Sequence, residues 1–167
     1  MGGWAMLPEL TSERFTTQTG WRVLVQVPEP DCPRVIAAVI AEDPLIWGDY
    51  DRVTFAAPGQ QHFRSLPGGA NTPTDDAVSV PCLELSFFLS GDAGRLDPVL
   101  HAIYRVHPYE EPVILVLPAL RTNHIRGVDE GNPNRFWNRE TADWVPDAHR
   151  RDVAGPPQSR GTVSRQA

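Results

Sequence analysis

Trp21-Arg22-Val23-Leu24-Val25-Gln26-Val27 and Cys82-Leu83-Glu84-Leu85-Ser86-Phe87-Phe88-Leu89 are the two stretches that decide the fold. In the first, Val23, Val25 and Val27 share one face at the two-residue period of a strand; in the second, Leu83, Leu85, Phe87 and Leu89 do the same. A helical period follows each. Pro28 and Pro30 end the first strand, Asp31 offers an N-cap, Pro33 falls in the first turn, and Val35, Ile36, Val39 and Ile40 line one side of a helix. That helix runs to about Asp43, where Pro44 closes it. After a turn from Gly91 to Gly94, Leu96, Val99, Leu100, Ile103 and Val106 repeat the helical spacing, with Asp97-Pro98 in the opening turn. Asp51 to Ala57, around Val53-Thr54-Phe55, supplies a strand between these units. Val113 to Leu117, continuously apolar and closed by Pro118, supplies the last. Strand, helix, strand, strand, helix, strand predicts an α+β, ferredoxin-like βαββαβ fold with both helices on one face of an antiparallel sheet. The opposite face then needs a cover, and association of subunits is the simplest one.

Outward from this core, residues 1–20 read as an N-terminal leader, Thr-rich at Thr16-Thr17-Gln18-Thr19, residues 21–120 as the domain, and residues 121–167 as a polar C-terminal extension. Pro58 to Thr74 is dominated by turn-forming residues and reads as one long loop, a length that marks a functional or mobile segment. The extension carries Phe136, Trp137 and Trp144, three aromatics in a polar stretch that point to docking on the core or on a neighbour. Val153 to Ala167 has almost no apolar content and reads as disordered. The first ten residues lack a basic segment followed by an apolar one, and no run approaches the ~18 apolar residues of a membrane span, so a cytoplasmic protein with no membrane partner is expected.

The 167 residues, 18.5 kDa, suit one domain of ordinary size with extensions. A net charge of −6, from 21 acids and 15 bases, argues against a chain that grips nucleic acid with its whole surface. Every base is Arg. Schiff-base chemistry and phosphate-loop lysine chemistry are therefore excluded, because each needs an ε-amine. Cys32 and Cys82 form no CxxC pair and read as small buried apolar residues. No GxxxxGK, GxGxxG, GxSxG or HExxH run is present, and no catalytic nucleophile is identified.

The densest group of chemistry-bearing residues is His107-Pro108-Tyr109-Glu110-Glu111-Pro112, between the second helix and the last strand. A histidine three residues before a carboxylate can supply N and O ligands to a divalent metal. The same residues also suit a rigid turn in which His107 caps the helix, Tyr109 packs and the glutamates face water. Gly48-Asp49-Tyr50-Asp51-Arg52 can read a polar ligand or form a surface turn with an Asp/Arg pair. His62 and Arg64 can meet an anion or stand in solvent.

Together, Gly48 to Phe55, Phe63-Arg64-Ser65-Leu66-Pro67-Gly68-Gly69-Ala70-Asn71-Thr72-Pro73 and the His107–Pro112 run resemble the inserted domain of YqfO-type proteins, the NGG-interacting-factor family. That domain is similar to the PII signalling and CutA cation-tolerance proteins, and the match covers about Trp21 to Leu120. The chain departs from the family pattern at Val53, where Cys is usual, at Gln61-His62, where a Gly-Thr pair is usual, and in the more apolar Val113-Ile114-Leu115. The flanks are too short for the family's dimetal hydrolase-like part, so that activity is not carried over. The resemblance implies a homotrimer with sheets facing inward and ligands in clefts between subunits. The resulting expectation is a non-enzymatic, oligomeric PII/CutA-like module, with His107, Glu110 and Glu111 as the metal set. Asp49, Tyr50, Asp51, Arg52, His62, Arg64 and Tyr109 are then the ligand contacts. Zinc or copper is the candidate metal, and the loop or tail is where a protein partner would bind. The competing readings are a small metal-dependent hydrolase using His107 and Glu110, and a trimeric scaffold binding a partner through its C-terminal extension.

Overall fold

Alternation along β1 (Phe15–Val27) sends Val23, Val25 and Val27 into the core, all three fully buried, while Arg22, Leu24 and Gln26 face the other way. A computed structural model describes residues 8–138 of the chain, which divides into two units after Ile125. In the first unit, β1 leads through α1 (Cys32–Glu42), β2 (Thr54–Phe63), β3 (Val78–Ser90), α2 (Leu96–Val106) and β4 (Ile114–His124). The four strands form one antiparallel sheet in the order β2-β3-β1-β4, the ferredoxin-like arrangement, with β1 and β3 central and β2 and β4 at the edges. Val35 and Val39 of α1 and Val99 and Ile103 of α2 pack on Val23, Val25, Val27, Leu85, Phe87 and Leu89. Each such fully buried side chain contributes about 1.5–3 kcal/mol over leaving it in water.

The helices fall where their spacing predicts, and α2 matches residue for residue. Strand boundaries differ from the sequence expectation: β2 starts at Thr54 rather than Asp51, β3 starts at Val78 rather than Cys82, and three further ends move. β1 starts at Phe15, inside the stretch read as a leader, because Phe15 to Thr19 pair with Leu120 to His124 of β4. β2 continues through Pro58 to Phe63, so the connection to β3 spans residues 64–77 rather than starting at Pro58. β4 continues through Pro118 to His124. Pro58 and Pro118 do not end their strands because each lies on an edge strand, where no ladder partner needs the missing N–H. Asp31 precedes α1 as expected, but its carboxylate pairs with Arg34 instead of capping a backbone N–H.

The register leaves the sheet staggered. β2 and β3 pair beyond the end of β1 as a two-stranded arm, Gly59 to Phe63 against Val78 to Cys82. Between α1 and β2 the chain runs through the buried Asp43, whose Oδ1 accepts from Leu45 N at 2.8 Å and whose Oδ2 pairs with Arg95 Nη1 at 2.9 Å. That bond and full burial hold Leu45 at φ +51, a backbone region disfavoured for a side chain with a Cβ. A shallow cavity of about 330 Å³ lies beside this ion pair, lined by Glu42, Asp43, Pro44, Gly94, Arg95 and Pro98.

The second unit, within residues 126–138, is a run of turns closed on itself. Asn132 Nδ2 donates to Asp129 Oδ2 at 2.7 Å, and Asn138 Nδ2 donates to the carbonyls of Glu130 and Asn132, each at 2.8 Å. Trp137 Nε1 donates to Glu130 O at 3.3 Å, with Phe136 edge-on at 5.0 Å. Trp144 and the stretch from Val153 to Ala167 lie outside the described residues.

Candidate functional site

The turn from α2 to β4 is fixed by its histidine. His107 N–H closes α2 on Ile103 O at 2.9 Å, and the ring turns back onto β1. Its Nε2 donates to Gln26 O at 3.0 Å and its Nδ1 accepts from Tyr109 N–H at 3.1 Å. A carbonyl only accepts and a backbone N–H only donates, so these two contacts select the neutral, Nε2-protonated imidazole. Tyr109 then stands edge-on to His107 at 5.1 Å. Burial raises the Tyr109 phenol above its usual range, with Cys82 and Asp31 adding to the effect. Glu110 reaches outward, where its Oε2 accepts from Ala70 N–H at 3.0 Å, and Glu111 is exposed.

Burial lowers the proton affinity of His107 below its ordinary value of 6.5, with Arg34 acting the same way and Asp31 and the Gln26 bond opposing. A base whose folded pKa is depressed binds its proton more readily in the unfolded chain. Stability should therefore be intact above pH 6.5 and fall as the pH drops below it. Gln at this position can still donate to Gln26 O but does not titrate. Urea midpoints from pH 7.5 to 5 should then fall more steeply for wild type than for His107→Gln, and parallel profiles would contradict this assignment.

Within one chain His107 and Glu110, two of the residues expected to hold a metal, are engaged otherwise. Both His107 nitrogens are engaged, and among the described residues no three His, Cys, Asp or Glu side chains are placed to hold a metal ion. A metal on His107 would have to displace a hydrogen bond that fixes the turn. Within one chain His107, Glu110 and Glu111 are thus not brought together as a metal set. His107 orders the turn and Glu110 ties down the β2–β3 connection.

The expected ligand contacts fall in separate places. Gly48 and Asp49 form a two-residue turn, closed by Trp47 N to Tyr50 O at 2.8 Å and Tyr50 N to Trp47 O at 3.1 Å, with Gly48 at φ +62. Asp51 and Arg52 are 3.9 Å apart and largely exposed, a pairing that contributes about 0–1 kcal/mol. Trp47 Nε1 donates to Thr122 O at 3.2 Å. Thr122 is eight residues along β4 from Ile114, roughly 26 Å at the rise of a strand, so within one chain this turn and the His107 turn sit at opposite ends of β4. His62 is exposed on the two-stranded arm opposite Ser79, and Arg64 is exposed just past its end. Cys32 and Cys82 are both buried free thiols, and desolvation, with Glu29 adding, pushes the Cys32 thiol up, away from thiolate chemistry.

A second cluster lies on the sheet face away from the helices. Arg121, 9% exposed, places its guanidinium 4.9 Å from the Trp47 ring centroid and 4.6 Å from that of Phe88. Its Nε and Nη2 donate to Gln18 Oε1 at 3.0 and 2.7 Å, and Nη1 donates to Ile46 O at 2.7 Å. Burial lowers its proton affinity and Asp43 opposes that effect. The two-residue period carries the signal for this placement, since Leu115, Leu117 and Arg121 share a parity on β4.

Further along this face, Phe55, Ser86, Leu24 and Leu115 stand in one row, and Phe88, Arg22 and Leu117 in the next. Trp47 and Arg121 cover Phe88, but Phe55 is 65% exposed, Leu115 51% and Leu117 46%.

This arrangement is a ferredoxin-like α+β domain, and solved structures are similar to it. A Bacillus cereus protein related to NIF3 matches over 65% of this chain and 28% of its own, at 23% identity and a TM-score of 0.54. CutA from Synechococcus elongatus matches over 64% of this chain and 82% of its own, at 23% identity and a TM-score of 0.45. A PII-like protein CutA from Nostoc matches over 58% and 78%, at 16% identity and a TM-score of 0.42. This chain thus spans little more than a quarter of the NIF3-related protein, with which it shares the fold of one part. No protein-family model matches the sequence, and no curated protein matches it. No described helix is long and apolar enough to cross a membrane.

Proposed function

We propose that the chain is a non-enzymatic, self-associating module of the PII/CutA type, in which copies meet through the open sheet face and hold a small polar ligand between them. The observation that carries this reading is the row of Phe55, Ser86, Leu24 and Leu115 with Leu117 beside it, mostly apolar side chains on a face that no described helix covers. A contiguous exposed apolar surface on a folded domain marks an interaction site. A homotrimer, the assembly implied by the sequence resemblance, would cover three such faces at once. It would also let the Asp49–Arg52 turn of one copy approach the Tyr109 and Glu111 turn or the His62 and Arg64 arm of another, which one chain alone keeps apart. Arg52, Arg64 and His62 would meet anionic groups, and Asp49, Asp51 and Glu111 would meet hydroxyls or a cation.

Titration calorimetry with zinc, copper and a nucleotide panel tests the ligand, using wild type and Leu115→Glu. A charge in the open face should split the assembly and abolish any ligand heat with it. The same heat from Leu115→Glu monomers would contradict binding between copies.

A further inference from the structure

We propose that the cavity between the end of α1 and the start of α2 is a binding site for a free α-amino acid, whose carboxylate meets Arg95 and whose ammonium group meets Glu42. The cavity, about 330 Å³, falls within the size range of small-molecule sites, and Glu42, Asp43, Pro44, Gly94, Arg95 and Pro98 line it. Its charged wall is anchored from inside. The Asp43 side chain is 9% exposed, and its carboxylate accepts from Leu45 N–H at 2.8 Å and from Arg95 Nη1 at 2.9 Å. Arg95 is the open half of that pair, 56% exposed, and its Nε and Nη2 donate to no described residue. A guanidinium pinned at one corner by a buried carboxylate thus keeps its Nε–Nη2 edge available, the planar fork that takes a carboxylate by two parallel bonds.

The rest of the lining selects a molecule with both charges. An anion alone meets the carboxylates of Glu42 and Asp43, and a cation alone meets Arg95, whereas an ammonium and a carboxylate a few bonds apart satisfy each end. Asp43 is committed to Leu45 and Arg95, which leaves Glu42 for the ammonium group. Glu42 Oε1 accepts from Arg105 Nη2 at 3.2 Å, and its Oε2 accepts from no described residue. Pro44 and Pro98 offer apolar ring surface and no N–H donor, which suits an aliphatic side chain on the bound molecule. The site is complete within one chain and lies on the helix side of the sheet, so it goes beyond the module reading above and does not rest on it.

Titration calorimetry of the full chain with L-alanine and L-leucine tests the site, with isovalerate and isoamylamine as probes that each keep one charged end. Wild type should bind leucine at least about tenfold more tightly than either single-charge probe. Arg95→Lys keeps a cation for the buried Asp43, so the fold survives, but it loses the fork and should weaken leucine about tenfold. Glu42→Gln, at the other end of the ligand, should weaken leucine by a similar factor of about ten. Leu115→Glu, which splits the proposed assembly, should bind leucine as wild type does, so the loss of the module reading leaves this site standing. No heat from either amino acid up to about 10 mM would overturn the proposal. Isovalerate or isoamylamine binding as tightly as leucine would do the same, as would a leucine affinity that neither Arg95→Lys nor Glu42→Gln moves.

Discussion

Gly20→Ala is expected to unfold the domain or to lower its melting temperature by about 15 °C, a loss of about 3–4 kcal/mol. Gly20 lies on β1 opposite Ser90 of β3 and Ala119 of β4, on the face away from the helices. A Cβ there would stand 2.2 Å from Leu89 O and 2.6 Å from Cζ of Phe88. The carbonyl belongs to a paired central strand, and the Phe88 ring is held by Trp47 and Arg121, so neither neighbour can move without breaking something else. Gly59 on β2 supplies the control, since the nearest atom to its added Cβ is Cys82 O at 4.0 Å. Gly59→Ala should stay within about 0.5 kcal/mol of wild type. Thermal unfolding of both variants decides the matter, and a Gly20→Ala protein as stable as Gly59→Ala would contradict the packing of Phe88 over Gly20.

Arg121→Ala should cost about 3 kcal/mol and Arg121→Lys about 2 kcal/mol, a large response for a residue distant from the His107 turn. Truncation removes three hydrogen bonds and leaves Gln18 Oε1 and Ile46 O short of donors, with the Trp47 and Phe88 rings facing a gap. Lys retains the charge but has no planar fork to lie between two rings while reaching both oxygens. Arg105 supplies the comparison. Its side chain is 64% exposed and pairs with Glu42 at 3.2 Å, so Arg105→Ala should cost under about 1 kcal/mol. Urea unfolding of the three variants measures the difference. Equal costs for Arg121→Ala and Arg105→Ala would show that the ring sandwich carries no weight in folding.

Much of the fold was legible because its central elements obey one period each. Val23, Val25 and Val27 alternate cleanly, and Leu96 to Val106 places its apolar residues on one helix face, so both elements emerge from the sequence with their buried sides assigned. The edges were not legible. Phe15 to Thr19 alternates weakly because it pairs with β4 alone, and it declares itself a strand only once Leu120 to His124 lie beside it. Pro58 and Pro118 are stop signals by local chemistry, and their position at the sheet edge, a property of the assembled sheet, is what makes them tolerable. The site divides in the same way. The run from His107 to Pro112 stood out by composition, yet the function of its histidine depends on Gln26 O, 81 residues away in sequence, which no local spacing reveals. The tie from Glu110 to Ala70 spans 40 residues and escaped the sequence for the same reason.

The proposed association through the open face stands or falls on the solution mass. Light scattering over a dilution series should give three times the 18.5 kDa chain mass for wild type, and the single-chain mass for Leu115→Glu. A wild-type protein that remains at 18.5 kDa across the series, with Leu115→Glu indistinguishable from it, would contradict the account.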